Sequence, residues 1–266
     1  MKVFTQAQKA VVRKDFREMW DVPMARGTLL AVPLILAVGI PVLFLVIVCF
    51  SSADQFHGMD QIVKLLPRET KDYNVRQISF YMLTNMLCPM LFLMIPLMAS
   101  SVSAASSFVG EKERGTLITL LLTPLGIRDI FKAKILGCIS LSAVITAISF
   151  VSFSVVTAVG DILLGLPFFF NWNWLVLVFL LAPGITVFGV VFMVLFSARS
   201  KSYNESVQTS GYLVLPIVLL FVGQFSGLFA LNAVVFLVAS LVVIAVDIPL
   251  WLITARSFTA EKLLKQ

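Results

Sequence analysis

Charged residues divide this chain into long apolar runs. An ionised side chain at the centre of a bilayer costs at least about 2.5 kcal/mol even on the most lenient scale. The intervals between charges therefore mark where the chain can cross a membrane. Nothing is charged between Arg26 and Asp54, and that run exceeds the ~20 residues a helix needs to span the hydrocarbon. The same reading places six spans, at about 27–50, 77–108, 135–160, 174–198, 207–223 and 231–254. The fourth span is set off by the interruption PFFFNWNW, and the last two are separated by the polar break Gly223-Gln224-Phe225-Ser226-Gly227. Prolines recur inside the spans, among them Pro33, Pro41, Pro89, Pro96, Pro183, Pro216 and Pro249. Neighbouring helices can satisfy the carbonyls that prolines free, so kinks are expected rather than breaks.

Composition supports this. Of 266 residues, 59% are hydrophobic and 13% charged, and the mean hydropathy is +1.00. A soluble domain carries about 25% charged residues, so lipid must be the main solvent. The net charge of +6 does not indicate nucleic acid, because the basic residues sit between apolar runs rather than on one hydrated face. They indicate orientation. The termini, the segment between spans two and three, and the segment between spans four and five hold sixteen of the 20 Lys and Arg residues. The other side holds only Lys64, Arg68, Lys71 and Arg76. This bias predicts that both termini are cytoplasmic. Trp172 and Trp174 then fall at the outer boundary and Trp20 and Trp251 near the inner one, where headgroups suit an indole.

The first residues contain no cleavable signal. Lys9, Arg13 and Arg17 recur every four residues on one helical face, with Val12, Phe16, Met19 and Trp20 on another. That is an interfacial amphipathic helix over 1–26, which orients span one and is placed to touch a cytoplasmic partner. Residues 255–266 form a cytoplasmic tail. The outer segment 51–76 is charge-balanced, with one short helix expected over 59–66.

The sequence offers little for catalysis. Cys49, Cys88 and Cys138 lie singly in apolar runs without CxxC spacing and read as packing residues. The single histidine, His57, lies in the outer segment, which leaves an intramembrane metal hydrolase or Ser–His pair without its imidazole. Gly110 and Gly115 have P-loop spacing, but Thr116 and Leu117 stand where GxxxxGK[ST] needs lysine and Ser/Thr. Asp247 is the acid placed well inside a span, with Pro249 nearby. It is either a transport-path group or a buried structural one. Asp161 reads as a boundary charge, and Ser100, Ser103, Ala104 and Ser107 as a small-residue packing face. No internal repeat suggests a secondary transporter.

The segment after span two carries the most specific pattern. Glu111, Lys112, Glu113 and Arg114 follow the apolar run directly, then Gly115; Thr116 can cap a helix over Leu117–Leu122, and Pro124 ends it. A short helix apolar nearly all round either docks into a partner or rests in the headgroups. GEKERGTLITLLLTP followed by IRDIFKAK resembles the signature loop of permease subunits of the type-2 ABC transporter family. The leader, the six spans and the loop position share that family's plan. The resemblance implies an all-α integral membrane fold with six transmembrane helices, an N-terminal amphipathic interfacial helix and a short cytoplasmic coupling helix between spans two and three, inside a coupling loop at 109–134. It also implies a permease of an ABC exporter in a prokaryotic cytoplasmic membrane, paired with itself or a related permease. A soluble ABC ATPase would dock below, with ATP and Mg bound there and no cofactor or metal on this chain. The ATPase contacts it implies are Glu111, Lys112, Glu113, Arg114, Gly115, Thr116, Leu117, Leu120, Leu121, Thr123, Pro124 and Arg128. Departures from the family pattern are Gly126-Ile127 before the arginine and Ala133 before the final Lys134. The Phe-, Leu- and Met-rich spans suit an amphipathic peptide, drug or lipid-like cargo, and the family also includes permeases associated with sodium efflux. The competing expectation is a non-transporting membrane scaffold or sensor.

Overall fold

The computed structural model describes residues 13–14, 17, 23–50, 73–113, 115, 126–197, 202–226 and 232–257. Every regular element among them is helical. Helix α1 runs from Pro23–Leu34 through Ile35–Gly39 to Ile40–Phe50. Helix α2 is Val75–Glu113, α3 is Ile127–Leu164 and α4 is Trp172–Ser197. Helix α5 runs from Tyr203–Thr209 through Ser210–Val214 to Leu215–Phe225, and α6 is Ala233–Ser257. All six are long and apolar enough to cross a membrane, and together they form an all-α, multi-pass membrane protein. Arg13, Lys14 and Arg17 are helical. The rest of 1–22, most of the segment 51–76 and the tail 258–266 lie outside the described residues.

Several helices outrun the expected spans, most at the signature. Helix α2 continues past 108 through the acids to Glu113, and α3 begins at Ile127 rather than near 135. A charge ends a helix only if it must reach water. Here some charges are satisfied within the bundle, so the helices continue.

Helix α2 is the axis of the bundle. Of its most apolar window 72% is buried, against 22% for α1 and α5 and 17% for α6. It packs chiefly on α3 and α4, and α6 rides on α4. The α2–α4 approach depends on small residues, because a Cβ on Gly189 would collide with Ser100 Oγ. The expected packing face of Ser100, Ser103, Ala104 and Ser107 is buried accordingly. Gly160 on α3 likewise lies directly against the Phe80 ring.

The prolines act through π turns. Ile35–Gly39, Leu83–Leu87 and Leu177–Leu181 each end two residues before a proline, namely Pro41, Pro89 and Pro183. A proline cannot donate to the carbonyl four residues back, and its ring crowds that carbonyl. The residue before each proline instead donates to the carbonyl five back: Ile40 to Ile35, Cys88 to Leu83, Ala182 to Leu177. The helices widen locally and continue, as local π adjustment allows. A fourth π turn, Ala105–Val109, precedes Gly110 rather than a proline.

At the end of the bundle away from the signature, the interruption PFFFNWNW folds inward. Gly165, at φ 66°, ends α3. Asp161 Oδ2 accepts from the Phe169 N–H at 2.9 Å, and Asn171 Oδ1 caps α4 by accepting from Asn173 N at 3.0 Å and Trp174 N at 3.3 Å. Trp174 is fully buried, with the rings of Phe153, Phe92 and Phe169 at 4.8, 5.7 and 5.7 Å. Its Nε1–H donates to the Thr84 carbonyl in the α2 π turn at 3.3 Å. Trp174 is therefore a core anchor and not the interfacial residue expected of it. Trp172, 74% exposed, is free to take that place. Asp161 is corrected too: it is a buried staple, not a solvated boundary charge. Gln224, expected in a polar hairpin, is buried within α5.

Candidate functional site

The signature begins on the last turn of α2 and ends on the first turns of α3. The described residues show how its two ends are held. Arg114, Thr116, Leu117, Leu120, Leu121, Thr123 and Pro124, and with them the expected coupling helix, lie outside the described residues. Arg128 is within α3, but its side chain is not described.

Helix α2 stops where glycine permits. Gly115 has φ +70°, and its N–H donates to the Lys112 carbonyl at 3.2 Å. This left-handed conformation costs other residues roughly 1–2 kcal/mol, which explains glycine directly after the charged cluster. Across the loop, the Gly126 carbonyl accepts from the N–H groups of Asp129 and Ile130 at 2.9 and 3.1 Å and starts α3.

The two ends are joined by charge. Glu111 and Lys134 are 2% and 3% exposed, and Lys134 Nζ lies 2.9 Å from Glu111 Oε2. Lys134 Nζ also donates to the Ser107 carbonyl at 2.9 Å and to Ser107 Oγ at 3.2 Å. Ser107 thus takes two hydrogen bonds from the ammonium, and Glu111 Oε2 balances its charge as an ion pair. Ser107 belongs to the π turn Ala105–Val109. The Phe108 ring centroid lies 5.6 Å from Nζ and is itself braced edge-on by Phe131 at 5.6 Å, a cation–π arrangement that covers one side of the charge. Glu111 Oε1 accepts from Lys14 Nζ at 3.1 Å, bringing the leading segment onto the same carboxylate. Lys14 is 42% exposed, so this outer pair is screened by water and contributes at most about 1 kcal/mol.

Glu113 points elsewhere. Two residues along a helix turn it by about 200°, and its Oε2 accepts from the Tyr203 N–H at 3.0 Å. Tyr203 opens α5, and the N-cap Ser202 Oγ accepts from Glu205 N at 3.3 Å. Two otherwise orphaned donors at that terminus are thus satisfied, one of them by a carboxylate suited to the helix dipole. The acids of the signature root therefore bind different neighbours. Glu111 is turned into the bundle, while Glu113 stays exposed.

Asp247 lies apart from this cluster. It is 7% exposed on α6, one turn beyond Val243 and Ile244, which pack at Gly184 of α4. Its Oδ1 has no hydrogen-bond partner among the described residues. Among those residues no three His, Cys, Asp or Glu side chains gather as a metal site requires.

Lys134 entered the sequence reading only as the last residue of the signature pattern, and its burial against Glu111 was not foreseen. A signal was present: Ile130, Lys134, Cys138 and Leu141 fall on one buried helical stripe, so the lysine required an acid from a neighbouring helix.

Six helices able to span a membrane, with a buried ion pair joining two of them at the root of the signature loop, define a multi-pass membrane protein. A family model described as ABC-2 family transporter protein matches residues 9–242, and the chain belongs to that family, as a permease component of an ABC transporter. No curated protein and no solved structure gives a match.

Proposed function

We propose that the chain is the permease subunit of an ABC exporter, that its loop 109–134 seats in a separate ATPase, and that two permeases assemble over two ATPases in a prokaryotic cytoplasmic membrane with both termini inside. The observation that carries this reading is the buried Glu111–Lys134 pair at 2.9 Å, which joins α2 to α3 at the root of the signature loop. A loop held at only one end would absorb a push from below. Joined at both ends, it hands the push to two spans as a unit, which is what conversion of nucleotide closure into helix movement requires. ATP and Mg belong to the partner.

The cargo that suits the apolar spans is an amphipathic peptide, drug or lipid-like molecule. Asp247, buried with one oxygen unpartnered among the described residues, is the polar group we place on its path. Asp247→Asn is expected to leave expression and assembly intact and to slow export. Unchanged export would remove Asp247 from the path.

The deciding test is recovery of the tagged protein from its native membranes in mild detergent, with bound chains identified by mass and assayed for ATP hydrolysis. The expected result is a P-loop ATPase that is lost when Arg114 is reversed in charge. Recovery of the intact chain without any ATPase would overturn the proposal in favour of a scaffold or sensor.

A further inference from the structure

We infer that Glu113 is a positioning residue that makes the first turns of α5 a second receiver of loop movement, independent of the Glu111–Lys134 connection to α3. This rests on the coupling role proposed above. Two contacts tie α5 to the signature root. Glu113 Oε2 holds the Tyr203 N–H at 3.0 Å, and Tyr203–Thr209 packs on the π turn Ala105–Val109 of α2, with Ser206 of that segment fully buried. The helix then changes character. Ser210–Val214 is a 3-10 stretch containing Gly211 between two α-helical segments, and mid-helix 3-10 geometry often marks a hinge. Beyond it, Leu215, Val218, Leu219 and Val222 are exposed on the bundle's outside. Helix α5 is therefore tied to the signature root at its first turns and softened just after them, and beyond the 3-10 stretch it packs by one face, through Ile217 and Gln224. That is the construction of a lever driven from its tethered end. Because Glu113 is exposed, its bond competes with water and adds little to stability. What the bond fixes is where α5 begins relative to the loop.

The test uses the full-length protein together with the ATPase recovered above, in lipid nanodiscs. Cys49→Ser removes the exposed cysteine, while Cys88 and Cys138 are buried, and Asn204→Cys places a spin label on the first turn of α5. Mg-ATP is expected to shift the label spectrum in this parent. Glu113→Ala should cut that response about fivefold or more, the lower range of a coupling free energy, in samples where ATPase held in excess gives the same bound amount as in the parent. Glu113→Gln, whose amide oxygen can still accept from Tyr203, should retain it. Hydrogen exchange of the Tyr203 amide should accelerate in the Ala variant alone. An Ala variant that responds like the parent, a parent whose label ignores Mg-ATP while the ATPase is bound, or unchanged amide exchange would each overturn the inference and leave the ATPase reading standing. Failure to recover any ATPase would overturn both.

Discussion

Lys134→Met is the substitution that most directly tests the loop root. Methionine keeps the length of the stem and its contact with the Phe108 ring but removes the charge, taking from Glu111, 2% exposed, the buried cation that faces it and leaving the pairing with Lys14 at the surface. Lys14 is 42% exposed and offsets little of the cost of a buried carboxylate. Breaking a buried pair from one side costs roughly 3–5 kcal/mol. At about 2–4 °C per kcal/mol for a chain of this size, that amounts to a fall of roughly 10 °C in melting temperature. Glu111→Gln should cost less, because an amide oxygen still faces Lys134 and Ser107 keeps its two hydrogen bonds to the ammonium. The double variant Glu111→Gln/Lys134→Met removes both charges and should melt above Lys134→Met alone, with a coupling of about 1–3 kcal/mol. The measurement is thermal unfolding of the four proteins in one detergent, alongside limited proteolysis of the loop. Single variants that melt with the parent, or strictly additive effects, would refute the claim that a buried ion pair closes the loop.

Three further substitutions test other packing claims. Gly160→Ala drives a methyl into the Phe80 ring and should destabilise by about 1–3 kcal/mol, with recovery when Phe80→Leu makes room; both are read as melting temperatures. Asp161→Ala leaves the buried Phe169 N–H without its acceptor and should cost about 1–3 kcal/mol, whereas Asp161→Asn keeps an oxygen in place and should cost under about 1 kcal/mol. Gly115→Ala at φ +70° should cost about 1–2 kcal/mol locally, seen as faster proteolysis at the loop with little change in the melting of the bundle.

The six spans were legible because a long uncharged run in a chain this apolar has few alternatives. The start of α4 was legible because PFFFNWNW is too polar at Asn171 and Asn173 to continue a span. The errors share one premise, that a charge or a tryptophan near the end of a span is met by water or headgroups. That premise holds when the polar atom must be met by water. It fails at Glu111, Lys134 and Asp161, because a partner on another helix or in an adjoining turn replaces water, and no local pattern shows which partner that is. Trp174 failed in the same way. Its N–H looks as if it needs the interface until α2 brings up the Thr84 carbonyl at 3.3 Å.

The signature gains physical meaning from that same failure. Read along the chain, the acids after span two and the lysine that closes IRDIFKAK are two charged clusters flanking a loop. Their separation in sequence says nothing of contact. In the fold one acid of the pair closes the loop on α3 through that lysine, and the other caps α5. Both acids stand just beyond the π turn Ala105–Val109, the one such turn among the four described that no proline follows two residues on. A widened turn that no proline requires costs backbone regularity, and its position suggests what that cost secures. It presents the Ser107 carbonyl to Lys134 and sets the rotation at which Glu111 faces α3 while Glu113 faces α5. Inserting one alanine between Val109 and Gly110 would turn both acids by about 100° and should disrupt the two connections together.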